Sequence, residues 1–248
     1  MKINTTYDLV IVVPCYNEQY RLPISEFKAF TDQNSNILIC FVNDGSKDGT
    51  EIVLSKLETE HPNTITQLSL KENQGKAGAV KQGFLYCIEK FNFNKIAYLD
   101  ADLATSLEEC VRVSNFIKDD VVFSFGSRIS KIDNNIDRKF YRFFIGRFIA
   151  TLISKQLKTK VYDTQCGCKV FHQNIVSEIF KDNFISKWLF DVEIFHRIIA
   201  IYKKENLQNI AREIPLKAWI DTDDSRVEFT YFFKLWFDLL AIGKKYKK

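Results

Sequence analysis

Lys95-Ile-Ala-Tyr-Leu-Asp-Ala-Asp-Leu-Ala-Thr-Ser106 runs apolar as far as Leu99 and then stops at Asp100-Ala101-Asp102. Side chains alternate along a strand, so carboxylates at i and i+2 leave its end on the same side. Two carboxylates so placed repel each other unless a positive group lies between them. A divalent cation is their natural partner, because Mg²⁺ or Mn²⁺ is commonly held by one or two carboxylates together with substrate phosphates. An isolated Asp-x-Asp is more often a solvated turn, so the reading depends on the rest of the chain.

Working outward, Asp8–Val13, Ile37–Val42, Ile65–Leu70, Ile96–Leu99 and Val121–Phe125 read as strands buried on both faces. Helical patterns over Glu51–Glu60, Lys76–Lys90 and Leu107–Lys118 separate them. This alternation predicts an α/β fold with a mostly parallel central sheet and helices on both faces. Ligands of such sheets bind at the carboxyl ends of the strands. Four polar motifs fall at those ends: Pro14-Cys15-Tyr16-Asn17-Glu18, Asn43-Asp44-Gly45-Ser46, Asn73-Gln74-Gly75-Lys76 and Asp100-Ala101-Asp102. Gly75-Lys76-Ala77-Gly78 opens a helix with small residues and a lysine, where a diphosphate would meet both a helix N-terminus and a cation. No G-x-G-x-x-G follows the first strand and no G-x-x-x-x-G-K-[ST] occurs, which disfavours a dinucleotide fold and excludes a standard P-loop.

At 248 residues the chain is long enough to bury a full core, and its 22 Phe call for an aromatic interior or surface. A net charge of +4 is too mild to argue for nucleic acid, but the basic residues are clustered. Arg138, Lys139, Arg142, Arg147, Lys155, Lys158 and Lys160 occupy one stretch, and four lysines fall within the last five residues. Basic residues beside aromatic runs suit an anionic surface or ligand. The six Cys show no C-x-x-C spacing and no apolar signal segment follows Met1, so reduced thiols and a cytoplasmic location are expected. The scattered three His argue against a structural zinc site.

The four motifs, in this order and spacing over about a hundred residues, resemble family 2 glycosyltransferases of the GT-A fold. Gly126-Ser127-Arg128, Arg138, Arg142, Asp163-Thr164-Gln165-Cys166-Gly167 and Trp188-Leu189-Phe190-Asp191-Val192-Glu193 resemble the dolichyl-phosphate or polyprenyl-phosphate glucosyltransferase branch. The departures are Cys168, where that branch often has Phe, and the lack of the membrane-spanning segment that many members carry. The resemblance implies a single GT-A domain over 1–248, with a nucleotide-sugar half (1–125), an acceptor half (126–222) and a C-terminal amphipathic helix (223–248). Pro14, Tyr16, Glu18, Asp44 and Gly45 would form the base and ribose pocket, with Asp44 accepting from a uracil N–H. Lys76 would lie near the donor phosphates, and Asp100 and Asp102 would hold Mg²⁺ or Mn²⁺ at the diphosphate and sugar. Asp44 is equally a turn residue, since Asn-Asp-Gly-Ser is a strong turn sequence.

The helical pattern from Arg138 to Leu157 is too short and too charged to cross a bilayer, which takes about 20 apolar residues. Arg138 and Arg142, four apart, share a face and suit a lipid phosphate at a membrane interface, although a core helix with snorkelling basic residues has the same pattern. Phe229–Ile242 reads as a second helix, apolar over most of its circumference, to be covered by the protein itself, by lipid or by a partner chain, a homodimer included.

The expected function is inverting transfer of glucose from UDP-glucose to a polyprenyl or dolichyl phosphate at the cytoplasmic membrane face. Arg128, Arg138 and Arg142 would orient the acceptor phosphate, which needs no base because its second pKa is about 6. A sugar-hydroxyl acceptor would instead need Asp191 as general base, a residue that could also simply cap a helix. A nucleotide-sugar-binding module without catalysis, docked at a membrane, is the reading from another class.

Overall fold

β1 (Thr6–Cys15) is buried on both sides, and its residues divide between two cores according to the strand period: Leu9, Ile11 and Val13 face one, Val10 and Val12 the other. The computed structural model describes residues 5–137, 140–220 and 231–246. After β1 come α1 (Ile24–Gln33), β2 (Ile37–Asn43), α2 (Thr50–Glu60), β3 (Ile65–Ser69), α3 (Gly75–Lys90), β4 (Asn92–Leu99), α4 (Leu107–Ser114) and β5 (Phe123–Ser127). There follow β6 (Asn135–Asp137), α5 (Phe140–Leu157), β7 (Cys168–His172), α6 (Gln173–Phe180) and α7 (Phe190–Tyr202). A short 3₁₀ turn, α8 (Leu207–Ile210), β8 (Ala211–Pro215), β9 (Ala218–Ile220) and α9 (Tyr231–Tyr246) complete the order.

Seven strands form the main sheet in the order β3-β2-β1-β4-β7-β5-β8. The pairs β1–β2, β1–β4, β2–β3 and β5–β8 are parallel, whereas β7 runs antiparallel to both β4 and β5. The mostly parallel sheet expected from the sequence is therefore present, and β7 and β8 are the strands of it that the alternation did not reveal. The five residues of β7 follow β5 by way of β6 and the 18-residue α5, a connection long enough for a parallel crossover, so nothing in the order of elements signals that β7 runs the other way.

Helices cover both faces. Phe27 of α1, Leu54 and Leu57 of α2, and Leu107, Cys110 and Val113 of α4 pack on the side of Leu9, Ile11, Phe41 and Leu99. Val80 and Phe84 of α3, Phe180 of α6, and Phe190, Phe195 and Ile198 of α7 pack on the other side with Val10, Val12 and Tyr98. Many of the phenylalanines meet on this second face: Phe84 lies 4.3 Å from Phe180 and 5.7 Å from Phe171, and Phe123 lies 5.3 Å from Phe195. Offset and edge-on aromatic contacts of this kind add to the stabilisation from burial alone. All six cysteines are free and buried.

The helix expected over Leu107–Lys118 ends at Ser114, where the Ser114 hydroxyl donates to the carbonyl of Val111 and the chain turns through Asn115. Its start is capped by Ser106 Oγ, which accepts from the Glu109 amide at 3.2 Å. In α9, Leu239 and Ile242 are buried while Trp236, Phe237 and Leu240 are exposed. Phe229 and Arg138 lie outside the described residues, as do the side chains of Arg142, Phe232 and Phe233. Among the described residues no helix is long and apolar enough to cross a membrane.

α9 is fastened to α7 through His196, whose ring stacks on Tyr246 at 4.9 Å, with Gln156 of α5 at 3.4 Å. Burial lowers the His196 pKa from 6.5 to about 4, so the folded protein keeps the ring neutral over a range in which the unfolded chain takes up a proton. The stability that this contributes is complete above pH 6.5 and is lost as pH falls towards 4. Melting temperature should therefore fall across that window, and His196→Phe, which retains a ring against Tyr246, should remove part of the fall. An unchanged slope in the variant would assign the titration to another group.

Candidate active site

The loops leaving β1 and β2 are built as one unit. The Asn17 amide donates to Ser46 Oγ at 3.0 Å, the Lys47 amide to Asn17 Oδ1 at 2.9 Å, and the Glu18 amide to Thr50 Oγ1 at 2.8 Å. Asn17 adopts a φ of 52°, a conformation that asparagine tolerates better than most residues. Pro14 pairs in register with Val42, and Tyr16 and Glu18 follow it half-buried. Tyr16, Glu18, Asp44 and Gly45 are thus brought to neighbouring strand ends.

Asp44 is buried, with Oδ1 accepting from the Gln74 amide at 2.7 Å and Oδ2 from the Gly75 amide at 2.9 Å. Burial raises its pKa, partly offset by those two N–H groups and by the Lys187 ammonium. Its carboxylate holds the loop that starts α3. Gly45 beside it takes a φ of +64°, and a Cβ there would lie 2.6 Å from the Glu72 carbonyl carbon, so only glycine fits.

α3 then carries Lys76 across to β4, where its ammonium lies 2.5 Å from Asp100 Oδ1 and 5.8 Å from the centre of the Tyr98 ring. Burial pulls the Lys76 pKa down, but the carboxylates of Asp100 and Asp191 more than compensate, and it stands above its ordinary value. The Asp100 amide donates to the Gly167 carbonyl at 3.2 Å, and a Cβ at position 167 would come within 1.9 Å of Asp100 Oδ2. Asp102 Oδ1 accepts from the Ala104 amide at 3.0 Å, the turn geometry common for aspartate.

Among the described residues no group of three or more His, Cys, Asp or Glu converges as a metal cage. Asp100 and Asp102 nevertheless fit a cation of the Mg²⁺ or Mn²⁺ type. They are two hard oxygen donors, the missing Cβ of Gly167 leaves Asp100 its space, and substrate phosphates would supply the remaining ligands.

Asp191 does not cap α7; the N-cap position is Leu189, and the amides of Trp188 and Leu189 are taken by Ser186 Oγ. The Asp191 side chain instead points into the sheet, where Oδ1 accepts from the Tyr98 hydroxyl and lies 2.6 Å from the Lys169 ammonium. Lys169 is completely buried and also donates to the Cys166 carbonyl at 2.8 Å. Lys169 is not among the residues expected at the site, and its one sequence signal is a lysine inside the apolar run Cys168-Lys169-Val170-Phe171.

Arg128 leaves the end of β5 and is clamped by Asp163: Nε to Oδ2 at 2.6 Å and Nη2 to Oδ1 at 2.8 Å, with the Arg128 amide on Oδ2 at 3.1 Å. Trp219 lies against the guanidinium at 5.3 Å. Burial alone would raise the Asp163 pKa, but the Arg128 charge beside it holds it well below the usual carboxylate range. Glu213 supports the clamp, accepting from the Ser127 hydroxyl and the Asp163 amide, both at 2.8 Å, and from the Tyr162 amide at 3.0 Å. Glu213 was also missed, because a glutamate in a short edge strand carries no sequence signal of its own.

Removing one member of a buried pair strands the other charge, which costs about 3–5 kcal/mol. Asp163→Ala should destabilise the protein by about that amount in urea unfolding, and Arg128→Met in the same chain should recover part of it. A loss below about 1 kcal/mol would mean that solvent screens the pair as it screens a surface bridge.

The family model described as "Glycosyl transferase family 2" matches residues 10–180, a span that contains every one of these strand ends up to β7. The chain is 32% identical to a dolichyl-phosphate beta-glucosyltransferase of Dictyostelium discoideum, over 96% of this chain and 74% of the relative. It is 28% identical to the Homo sapiens protein of that name, over 97% and 76%. Among solved structures, glucosyl-3-phosphoglycerate synthase from Mycobacterium tuberculosis, in complex with Mn²⁺, UDP and glucosyl-3-phosphoglycerate, superposes with a TM-score of 0.67 at 10% identity, covering 97% of this chain and 80% of that one. A mannosyltransferase from Pyrobaculum calidifontis in complex with GDP-mannose and Mn²⁺ gives 0.60 at 16% identity, covering 97% and 65%. The fold is GT-A, and the chain belongs to glycosyltransferase family 2.

Proposed function

We propose that this glycosyltransferase moves glucose, with inversion, from UDP-glucose to a polyprenyl or dolichyl phosphate at the cytoplasmic face of a membrane. The observation that carries this reading is the state of Asp191: buried, with its Oδ1 engaged by both Lys169 and Tyr98. A sugar-hydroxyl acceptor requires a base within reach, and this carboxylate is buried and turned onto Lys169 and Tyr98. A phosphate acceptor arrives largely dianionic and requires positioning and charge stabilisation instead. The names of the Dictyostelium and human relatives support the same acceptor and sugar.

In this reading Pro14, Tyr16, Glu18, Asp44 and Gly45 receive the base and ribose. The Lys76 ammonium, next to Asp100, faces the donor diphosphate and stabilises the charge that builds on it as the glycosidic bond breaks. Mg²⁺ or Mn²⁺ bound by Asp100 and Asp102 would supply further neutralisation of the leaving group. Arg128, held rigid by Asp163, presents its remaining Nη1 edge to the acceptor phosphate, with Arg138 and Arg142 as the other proposed contacts. Nucleotide-sugar and acceptor functions would then divide near residue 125. Trp236, Phe237 and Leu240, exposed on α9 above Lys244 and Lys245, suit an anionic bilayer surface and support peripheral contact.

The test is transfer of radiolabelled glucose from UDP-glucose, with Mg²⁺ or Mn²⁺, into organic-extractable material when a short polyprenyl phosphate is supplied. Label should enter the lipid, vanish with EDTA and in Asp100→Ala, and drop by about tenfold or more in Arg142→Ala, the loss of one charge-assisted contact. Release of UDP with an oligosaccharide acceptor but not with the lipid, abolished in Asp191→Asn, would instead establish the hydroxyl mechanism. Bound UDP with no transfer to any acceptor would identify a binding module.

A further inference from the structure

β4 and β7 place Tyr98 and Lys169 directly opposite each other across the sheet, so the two side chains share a face. The Lys169 ammonium lies 5.4 Å from the centre of the Tyr98 ring and the Lys76 ammonium 5.8 Å from it, while the Tyr98 hydroxyl donates to Asp191. One tyrosine therefore touches two ammonium groups and the carboxylate that neutralises one of them. From the Cys166 carbonyl the contacts run unbroken through Lys169, Asp191, Tyr98 and Lys76 to Asp100. Lys169 is sealed from solvent, so neither donor nor acceptor can reach it.

We propose that Lys169 is a positioning residue: its buried pair with Asp191 fixes Tyr98 and, through that ring, holds the Lys76 ammonium at the donor diphosphate. This deepens the functional reading above and rests on it for the identity of the donor. A role in stability alone is a weak explanation, because a buried ion pair replaced by apolar groups of similar volume often leaves stability unchanged or improved. Two cation–ring contacts on one tyrosine, whose hydroxyl is held by the carboxylate that pairs with one of the cations, instead set where an amine stands.

The experiment compares the full-length wild type, Lys169→Met/Asp191→Asn and Tyr98→Phe. The first readout is the rate at which Lys76 is acetylated by acetic anhydride at mildly alkaline pH, followed by peptide mass spectrometry; the second is kcat and KM for UDP-glucose. The double variant leaves neither charge unpaired and should melt close to wild type. Lys76 should nevertheless be acetylated several-fold faster in it, and kcat should fall by about tenfold or more with KM changing less. Tyr98→Phe removes only the hydroxyl link to Asp191 and should raise the acetylation rate in the same direction, which keeps the proposal open to refutation if the double variant does not fold. In wild type, UDP with Mg²⁺ should slow the acetylation. Wild-type acetylation in both variants, or wild-type kcat in a folded double variant, would reduce the pair to structure and overturn the proposal. Wild-type protein that shows UDP protection of Lys76 but transfers to no acceptor would count against the functional reading and leave the labelling comparison to judge Lys169.

Discussion

The antiparallel pairing of β7 with β4 is the constraint on which the rest of the site depends. Opposing Leu99 with Cys168 and Tyr98 with Lys169 brings the Gly167 backbone onto Asp100 and a lysine under the floor of the cleft. A register slip of one residue would turn Lys169 to the opposite face and carry Gly167 away from Asp100. Asp100 would then meet a Cβ where its carboxylate now lies. One strand pairing thus controls both the outer carboxylate, Asp100, and the inner one, Asp191, which is buried.

Charge in this cleft is arranged in layers. Outermost are Asp100 and Asp102, then the Lys76 ammonium, and beneath it Tyr98, Asp191 and Lys169. Each buried ion has a counter-ion at contact distance, which is the condition for leaving charges in a medium that solvates them poorly. At the end of β5 the Arg128–Asp163 pair follows the same rule, while Glu213 beneath it accepts from neutral donors, the Ser127 hydroxyl and the Tyr162 and Asp163 amides. In the proposed reaction both arrangements would hold cationic groups ready for a phosphate, so that little reorganisation is left for the moment of reaction.

The aromatic content has two uses in this protein. Phe84, Phe123, Phe171, Phe180 and Phe195 fill the face between the sheet and α3, α6 and α7, a purely structural task. Trp236 and Phe237 on α9 are exposed, with Lys244 and Lys245 about two turns further along. The helix buries Leu239 and Ile242 against the protein and has tryptophan and phenylalanine exposed, so it is apolar on two faces.

The sequence by itself determined the βα alternation, the parallel half of the sheet and the position of the ligand-facing motifs, because period, turn chemistry and carboxylate spacing are local properties. Asp100-Ala101-Asp102, Asn43-Asp44-Gly45-Ser46 and Gly75-Lys76 are legible for that reason, and each lies at a strand end or helix start. The family resemblance was legible in the same motifs. Only the tertiary structure decided what the buried groups do. Nothing in Phe190-Asp191-Val192-Glu193 distinguishes a helix cap from a carboxylate turned inward to Lys169 and Tyr98, nor Arg128 as a free phosphate contact from Arg128 clamped by Asp163. Those outcomes depend on partners 22 to 93 positions away in the chain, brought together by β7 entering the sheet against the direction of its neighbours. Pairing across such separations follows from packing and register, which no local pattern encodes.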